Sequence, residues 1–275
     1  MTIFGLMMKK GIIRRPGTQQ IFKIRHSFGL FVWCEKTRRF LVVQNRDSHA
    51  FVFFFMIDRI DQWTTERMRA LLEEFTSDEI NRLLFFSFDD IYNDLYLNHD
   101  PVGYHRQEVR ARRNYDTFHR KDEWVSIART ITGIGIPWEL PKGRLNHVTE
   151  NSLDCAIRET REETNISLTL NDPSQTPGVV IEHIKYKKHI GQQVHVHLFG
   201  MSVREEAPIV YRCFNKRIRG ISVSDEIMHA RWVDLDEASV LLPTGLIEIV
   251  RSLYSDIITG NGPQLVPCSW TIDTA

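Results

Sequence analysis

The chain has 275 residues, 35 Lys+Arg against 35 Asp+Glu, and 42% hydrophobic residues. These values exclude wholesale disorder and fibrous repeats, and fit one large domain or one domain carrying an insertion. The balanced total hides an uneven distribution: residues 1–46 carry net +9, residues 58–100 net −7 and residues 101–121 net +4.

Basic stretches of this kind attract polyanions such as RNA, and read equally as solvated faces. The longest apolar run, residues 51–57, is far below the roughly 20 residues of a membrane span, so no membrane association is expected. Residues 1–16 hold Lys9, Lys10, Arg14 and Arg15 without an apolar core and do not read as a secretory leader. Cys34, Cys155, Cys213 and Cys268 are scattered with no Cys-x-x-Cys pair. That favours a reducing compartment and no structural zinc.

In chain order, residues 28–34 and 39–44 are short apolar runs around a polar turn and predict a hairpin. Beyond residue 57 the period changes. Met68, Leu71, Leu72 and Phe75 recur at helical spacing. So do Ile80, Leu83, Leu84 and Phe88, continuing to Ile91 and Leu95. Two amphipathic helices follow, the second with Ser77 as its expected N-cap. Residues 103–130 predict further, partial helix. From Pro137 the pattern alternates again, with strands expected at 179–184, 194–203 and 231–235. A helix is expected over 244–259 with Ile247, Val250, Tyr254 and Ile257 on its apolar stripe. Strands on either side of a helical block predict an α/β domain with a helical insertion.

One segment carries chemistry: Trp138-Glu139-Leu140-Pro141-Lys142-Gly143-Arg144, a loop to Glu150, then residues 151–166. Leu153, Ala156, Ile157 and Thr160 share one side of a helix. Glu159, Glu162 and Glu163, at i, i+3 and i+4, share another. Clustered carboxylates repel by a few tenths of a kcal/mol per pair, and a divalent cation removes that penalty. Alone, such a run reads first as an exposed acidic face, because such runs are common on surfaces. The preceding Pro-Lys-Gly turn changes the weighing: Gly143 permits a tight turn whose carbonyl can reach a metal, and Lys142 brings a charge suited to phosphate. Arg158, four residues before Glu162, can orient it.

This segment resembles the Nudix box, G-x5-E-x7-R-E-U-x-E-E-x-G-U with U apolar. Here it reads Gly143, Glu150, then Arg158 to Ile166. The Gly-to-Glu gap is one residue longer, Thr160 stands at an apolar position, and Asn165 replaces the closing glycine. Asparagine tolerates the left-handed conformation of a helix C-cap. The flanks are similar to the mRNA-decapping branch, and most like decapping enzymes of large cytoplasmic DNA viruses of the asfarvirus and poxvirus type. Residues 43–51 resemble their V-Q-x-R-x-S-x-A-F stretch, and Glu226-Ile227 with Trp232 resembles their E-I-x4-W segment.

The resemblance implies an α/β/α Nudix sandwich over 20–58 and 131–275, with 59–130 as a helical, RNA-binding insertion. It implies metal-assisted hydrolysis of the mRNA cap by a viral enzyme in the host cytoplasm, with capped mRNA as partner and a homodimer compatible with the family. Glu159, Glu162 and Glu163, the Gly143 carbonyl and Glu226 would hold Mg²⁺ or Mn²⁺. Glu159, Glu163 and Glu226 would be the catalytic set, Glu226 as ligand or base, and Glu150 would support the loop. Lys142 and Arg144 would meet substrate phosphates. The rivals are hydrolysis of diphosphoinositol polyphosphates or small nucleoside-diphosphate derivatives, and a Nudix-fold RNA-binding module without catalysis.

Other groups are weaker. Arg106, Arg110, Arg112, Arg113, Arg120 and Lys121, with Tyr104 and Tyr115, suit RNA backbone. The Lys9–Arg15 cluster and Lys185, Lys187 and Lys188 are lesser candidates. His195 and His197 alternate with Val194, Val196 and Leu198 and read as one polar strand face rather than a metal site. Trp33, Trp124, Trp138, Tyr186 and Phe199 are candidates to hold a methylated guanine.

Overall fold

The computed structural model describes residues 23–95, 101–172, 179–187, 192–209, 227–261 and 265–272. The chain divides into two compact units, one of residues 1–42, 139–210 and 231–275, the other of 43–138 and 211–230. Glu226 and the Lys9–Arg15 cluster lie outside the described residues, as do the side chains of Arg106, Lys185 and Tyr186.

The chain opens with β1 (Lys23–Cys34) and β2 (Arg39–Asn45). These form the expected hairpin, with Trp33 opposite Phe40 and Arg38 at φ 57° in the turn. The helices that follow are α1 (His49–Phe55), α2 (Thr65–Leu72), α3 (Ser77–Phe85), α4 (Phe88–Leu95), α5 (Pro101–Arg120) and α6 (Asp122–Thr130). Next come β3 (Trp138–Glu139), β4 (Lys142–Gly143), α7 (Ser152–Thr164), β5 (Ile166–Leu170), β6 (Val179–Lys187) and β7 (Gln192–Val203). The chain ends with β8 (Ile227–Val233), α8 (Leu235–Leu241), α9 (Thr244–Thr259) and β9 (Val266–Ile272).

In the first unit β1 runs parallel to β7 along its whole length, from Lys23 opposite Gln192 to Cys34 opposite Val203. β4 pairs antiparallel with β1, β6 antiparallel with β7, β9 parallel with β7 and β5 antiparallel with β9. Alternation along β1 divides its side chains between two layers. Phe28, Leu30, Val32 and Cys34 are buried with Phe199, Met201 and Val203 of β7 and with Cys155 and Ala156 of α7. Phe31 and Trp33 point the other way, where the Trp33 ring meets Tyr254 of α9 edge-on at 5.3 Å. Helix on each face of a mixed sheet is the expected α/β/α layering. α9 buries Leu246, Ile247, Val250 and Leu253, so its apolar stripe is turned from the one predicted through Tyr254 and Ile257. β8 stops at Val233 because Asp234 and Glu237 form a capping box that starts α8. No helix among the described residues is long and apolar enough to cross a membrane.

The helical unit has its own core, in which Phe51, Phe54, Phe55, Phe75, Phe118 and Trp124 are almost fully buried. The aromatic run from Phe51 lies mostly in α1, started by the Ser48 hydroxyl, which accepts from the Phe51 amide. The N-cap of α3 is Thr76 and not Ser77. Thr76 accepts from the Glu79 amide while the Glu79 carboxylate accepts from the Thr76 amide, and this reciprocal pair outcompetes a lone serine one residue on. The predicted second helix is two, α3 and α4. The Ser87 hydroxyl accepts from the Asp90 amide at 3.2 Å and begins a new helix after the extended Phe86. Residues 101–130 are helical almost throughout.

Candidate active site

α7 carries the carboxylates. Its N-cap is Asn151, whose side chain accepts from the Asp154 amide, and its C-cap is Asn165, at φ 60° and ψ 14°. Asparagine thus occupies the left-handed position that a glycine usually takes. Cys155, Ala156, Thr160 and Thr164 form the buried side. The Thr160 hydroxyl sits in that apolar face by donating to the Ala156 carbonyl at 2.8 Å.

Arg158 holds the carboxylate face together. Its Nη1 donates to Glu159 Oε1 and to Glu162 Oε2, both at 2.9 Å. Its Nε donates to Glu150 Oε1 at 2.7 Å, and its Nη2 to the Arg144 carbonyl at 2.8 Å. The first of these bonds, to Glu150, does most to raise the Arg158 pKa, so the guanidinium stays charged. The same bond lowers the Glu150 pKa. Glu150 Oε2 also accepts from the Asn146 amide at 2.7 Å, so Glu150 braces the loop between β4 and α7.

The Pro-Lys-Gly turn closes on this face. Glu159 Oε1 accepts from the Arg144 amide at 3.1 Å and Glu163 Oε2 from the Lys142 amide at 3.2 Å. A Cβ on residue 143 would overlap the Glu159 carboxylate where it lies, so any other residue there would push that side chain aside. The Gly143 carbonyl accepts from Ser27 Oγ at 2.9 Å. Ser27, on β1, is a contributor that the motif did not reveal. The Lys142 ammonium is ion-paired with Glu139, both side chains being largely buried. Glu139 is thus a second residue the sequence reading passed over, though a carboxylate three before a lysine in a tight turn is a readable pair.

The donor set tests the fit of a metal. Three carboxylates and a peptide carbonyl are hard oxygen donors of the kind that suits Mg²⁺ or Mn²⁺; as the side chains lie, Arg158 bridges Glu159 and Glu162 and the three carboxylates are not all within 4.8 Å of one another, so they would have to draw together around an ion. The glycine that makes space for Glu159 is part of the same cradle. Arg158 offsets the carboxylate charge from the side. Burial raises the Glu159 pKa, more than Arg158 beside it lowers it. Replacing Gly143 with alanine is expected to displace the Glu159 carboxylate and weaken Mn²⁺ binding about tenfold or more, as read by calorimetric titration.

Among the remaining candidates, Trp33, Trp124 and Phe199 are core residues. Trp138 is half-buried and stacks on His229, with centroids 6.3 Å apart. On α5, Arg110 pairs with Asp58 and Arg112 with Asp89 and Glu108. Arg113 donates to the Ile57 and Asp58 carbonyls, and Arg120 to Thr117. Lys121 lies over the Trp124 ring at 3.8 Å.

A glutamate-bearing helix clasped to a Pro-Lys-Gly turn on an α/β/α sandwich is the arrangement of a Nudix fold. The chain belongs to the NUDIX domain family, whose model matches residues 118–255. The mRNA-decapping protein g5R of African swine fever virus, isolate Warthog/Namibia, is 28% identical over 130 residues, covering 46% of this chain and 52% of that protein. The g5R of isolate Pig/Kenya is 27% identical with the same coverage. The match therefore spans about half the length of these relatives. Among solved structures, a NUDIX hydrolase from Nitrosomonas europaea aligns with a TM-score of 0.39 and 11% identity over 88% of this chain and 94% of that one.

Proposed function

We propose that the chain hydrolyses the 5′ cap of mRNA, releasing m7GDP and leaving 5′-monophosphate RNA. The observation that carries this reading is the α7 carboxylate face clasped to the Gly143 turn, in a chain whose relatives bear the name mRNA-decapping protein. Glu159, Glu162, Glu163 and the Gly143 carbonyl would hold Mg²⁺ or Mn²⁺, with Glu226 as a further ligand or as the base. Bound there, the ion supplies positive charge at the phosphoanhydride and a water acidic enough to react near neutral pH.

The chain's own residues do the positioning. Arg158 fixes Glu159, Glu162 and the loop carbonyl in one frame. Lys142, held by Glu139, and Arg144 are assigned to the substrate phosphates. In this reading residues 20–58 and 131–275 are the hydrolase and the helical insertion, 59–130, holds the RNA. The Arg110 and Arg112 ion pairs are substantially exposed; such pairs are worth little, so phosphate can displace them. The enzyme would act on transcripts in the cytoplasm of an infected cell.

Incubating cap-labelled RNA with the protein and Mn²⁺ tests the reading. Release of m7GDP by the wild type and not by Glu163→Gln is the expected result. Release of other products, or none, would overturn it. A pH dependence follows from Glu159. Metal binding needs its ionised form, and burial raises its pKa. Mn²⁺ affinity is therefore expected to start falling, as pH is lowered, before the ordinary carboxylate range is reached. Calorimetric titrations from neutral to mildly acidic pH read that onset directly.

A further inference from the structure

Three imidazoles converge on the sheet of the first unit from two strands far apart in the chain. His195 and His197 alternate along β7, and the parallel register sets His26 of β1 opposite His195. A period of two places all three on the face that also bears Phe28 and Phe199, the face packed against α7. His26 Nδ1 and His197 Nε2 are 2.9 Å apart and their rings stack at 5.2 Å. The His26 and His195 rings are tilted, with centroids 5.4 Å apart. One nitrogen from each ring lies within 4.8 Å of the other two. All three residues are half-buried, and Phe28 stacks on His197 at 5.3 Å.

As neutral rings, each imidazole offers one lone pair, and a single cation accepts all of them. Nitrogen ligands about 2.1 Å from a tetrahedral ion stand about 3.4 Å from one another. The His26–His197 pair, hydrogen-bonded at 2.9 Å, would open by about 0.5 Å to reach that value, and no pair of the three ligand nitrogens is more than 4.8 Å apart. Imidazole favours Zn²⁺, Co²⁺ or Ni²⁺ over Mg²⁺, so the chemistry differs from that of the α7 carboxylates. The lack of a Cys-x-x-Cys pair bears on thiolate sites and not on this one. Burial also pushes the Cys155 and Cys268 thiols up to about 12, which keeps them protonated.

We propose that His26, His195 and His197 form a second metal site, specific for a divalent cation of the Zn²⁺ class. Its three protein ligands leave a fourth position open to water or to an anionic ligand. The site stands independently of cap hydrolysis.

Zn²⁺ titration of the full chain, in buffer with excess Mg²⁺, tests it. One Zn²⁺ per chain is expected in the wild type and in the Glu162→Gln/Glu163→Gln double variant. His26→Gln and His195→Gln are each expected to weaken Zn²⁺ binding more than about 100-fold, beyond what loss of a supporting group costs. X-ray absorption of the Zn²⁺-loaded wild type counts imidazole ligands without any variant. Three imidazoles in the shell support the site; a shell containing sulfur or only carboxylate and water oxygens overturns it. Zn²⁺ affinity lost in the carboxylate double variant and kept in His195→Gln would overturn it too.

Discussion

Replacing Glu163 with glutamine is expected to slow cap hydrolysis on the order of a thousandfold, about 4 kcal/mol of transition-state stabilisation, while leaving the fold intact. The substitution separates two roles of one side chain. Glu163 Oε2 accepts from the Lys142 amide at 3.2 Å, and a carboxamide oxygen can accept that same bond. What it cannot supply is the negative charge that a divalent ion needs. Glu159 is a less clean probe, because its carboxylate lies against Gly143 and accepts from both Arg144 and Arg158. An amide there would turn an N–H toward one of those donors and disturb the turn as well as the charge. Single-turnover m7GDP release, with a melting curve of the metal-free protein, distinguishes the two effects. Activity within tenfold of wild type would remove Glu163 from the metal assignment.

The carboxylate face was legible because every relation that makes it is local. Glu159, Glu162 and Glu163 fall together through helical periodicity, and the i, i+4 spacing from Arg158 to Glu162 is fixed by the same geometry. Asn165 as a left-handed cap was readable for a similar reason. Relations across the sheet were not. Ser27 reaches Gly143 across 116 residues, and His26 meets His197 across 171. A parallel pairing leaves no local spacing to read, so His195 and His197 alone looked like a polar strand face. The helix boundaries failed on competition between near-equal caps: Thr76 against Ser77, and Ser87 dividing one apolar period into two helices.

The stretch that carried the viral resemblance, residues 43–51, turns out to be built into the folding of the helical unit, and this yields the second large prediction. Glu79→Ala is expected to destabilise that unit by about 3–5 kcal/mol. Glu79 is 1% exposed. One carboxylate oxygen accepts from the Ser48 amide, and the other accepts from Ser48 Oγ and the Thr76 amide, each at 2.8 Å. It therefore ties the N-terminus of α1 to the N-terminus of α3. Truncation leaves three buried or half-buried donors without an acceptor, each costing about 1–3 kcal/mol. Thr76→Ala removes only one side of the capping box and should cost about 1 kcal/mol. Urea unfolding followed by circular dichroism orders the two variants. If Glu79→Ala were no more damaging than Thr76→Ala, the buried carboxylate would be a passenger on the cap.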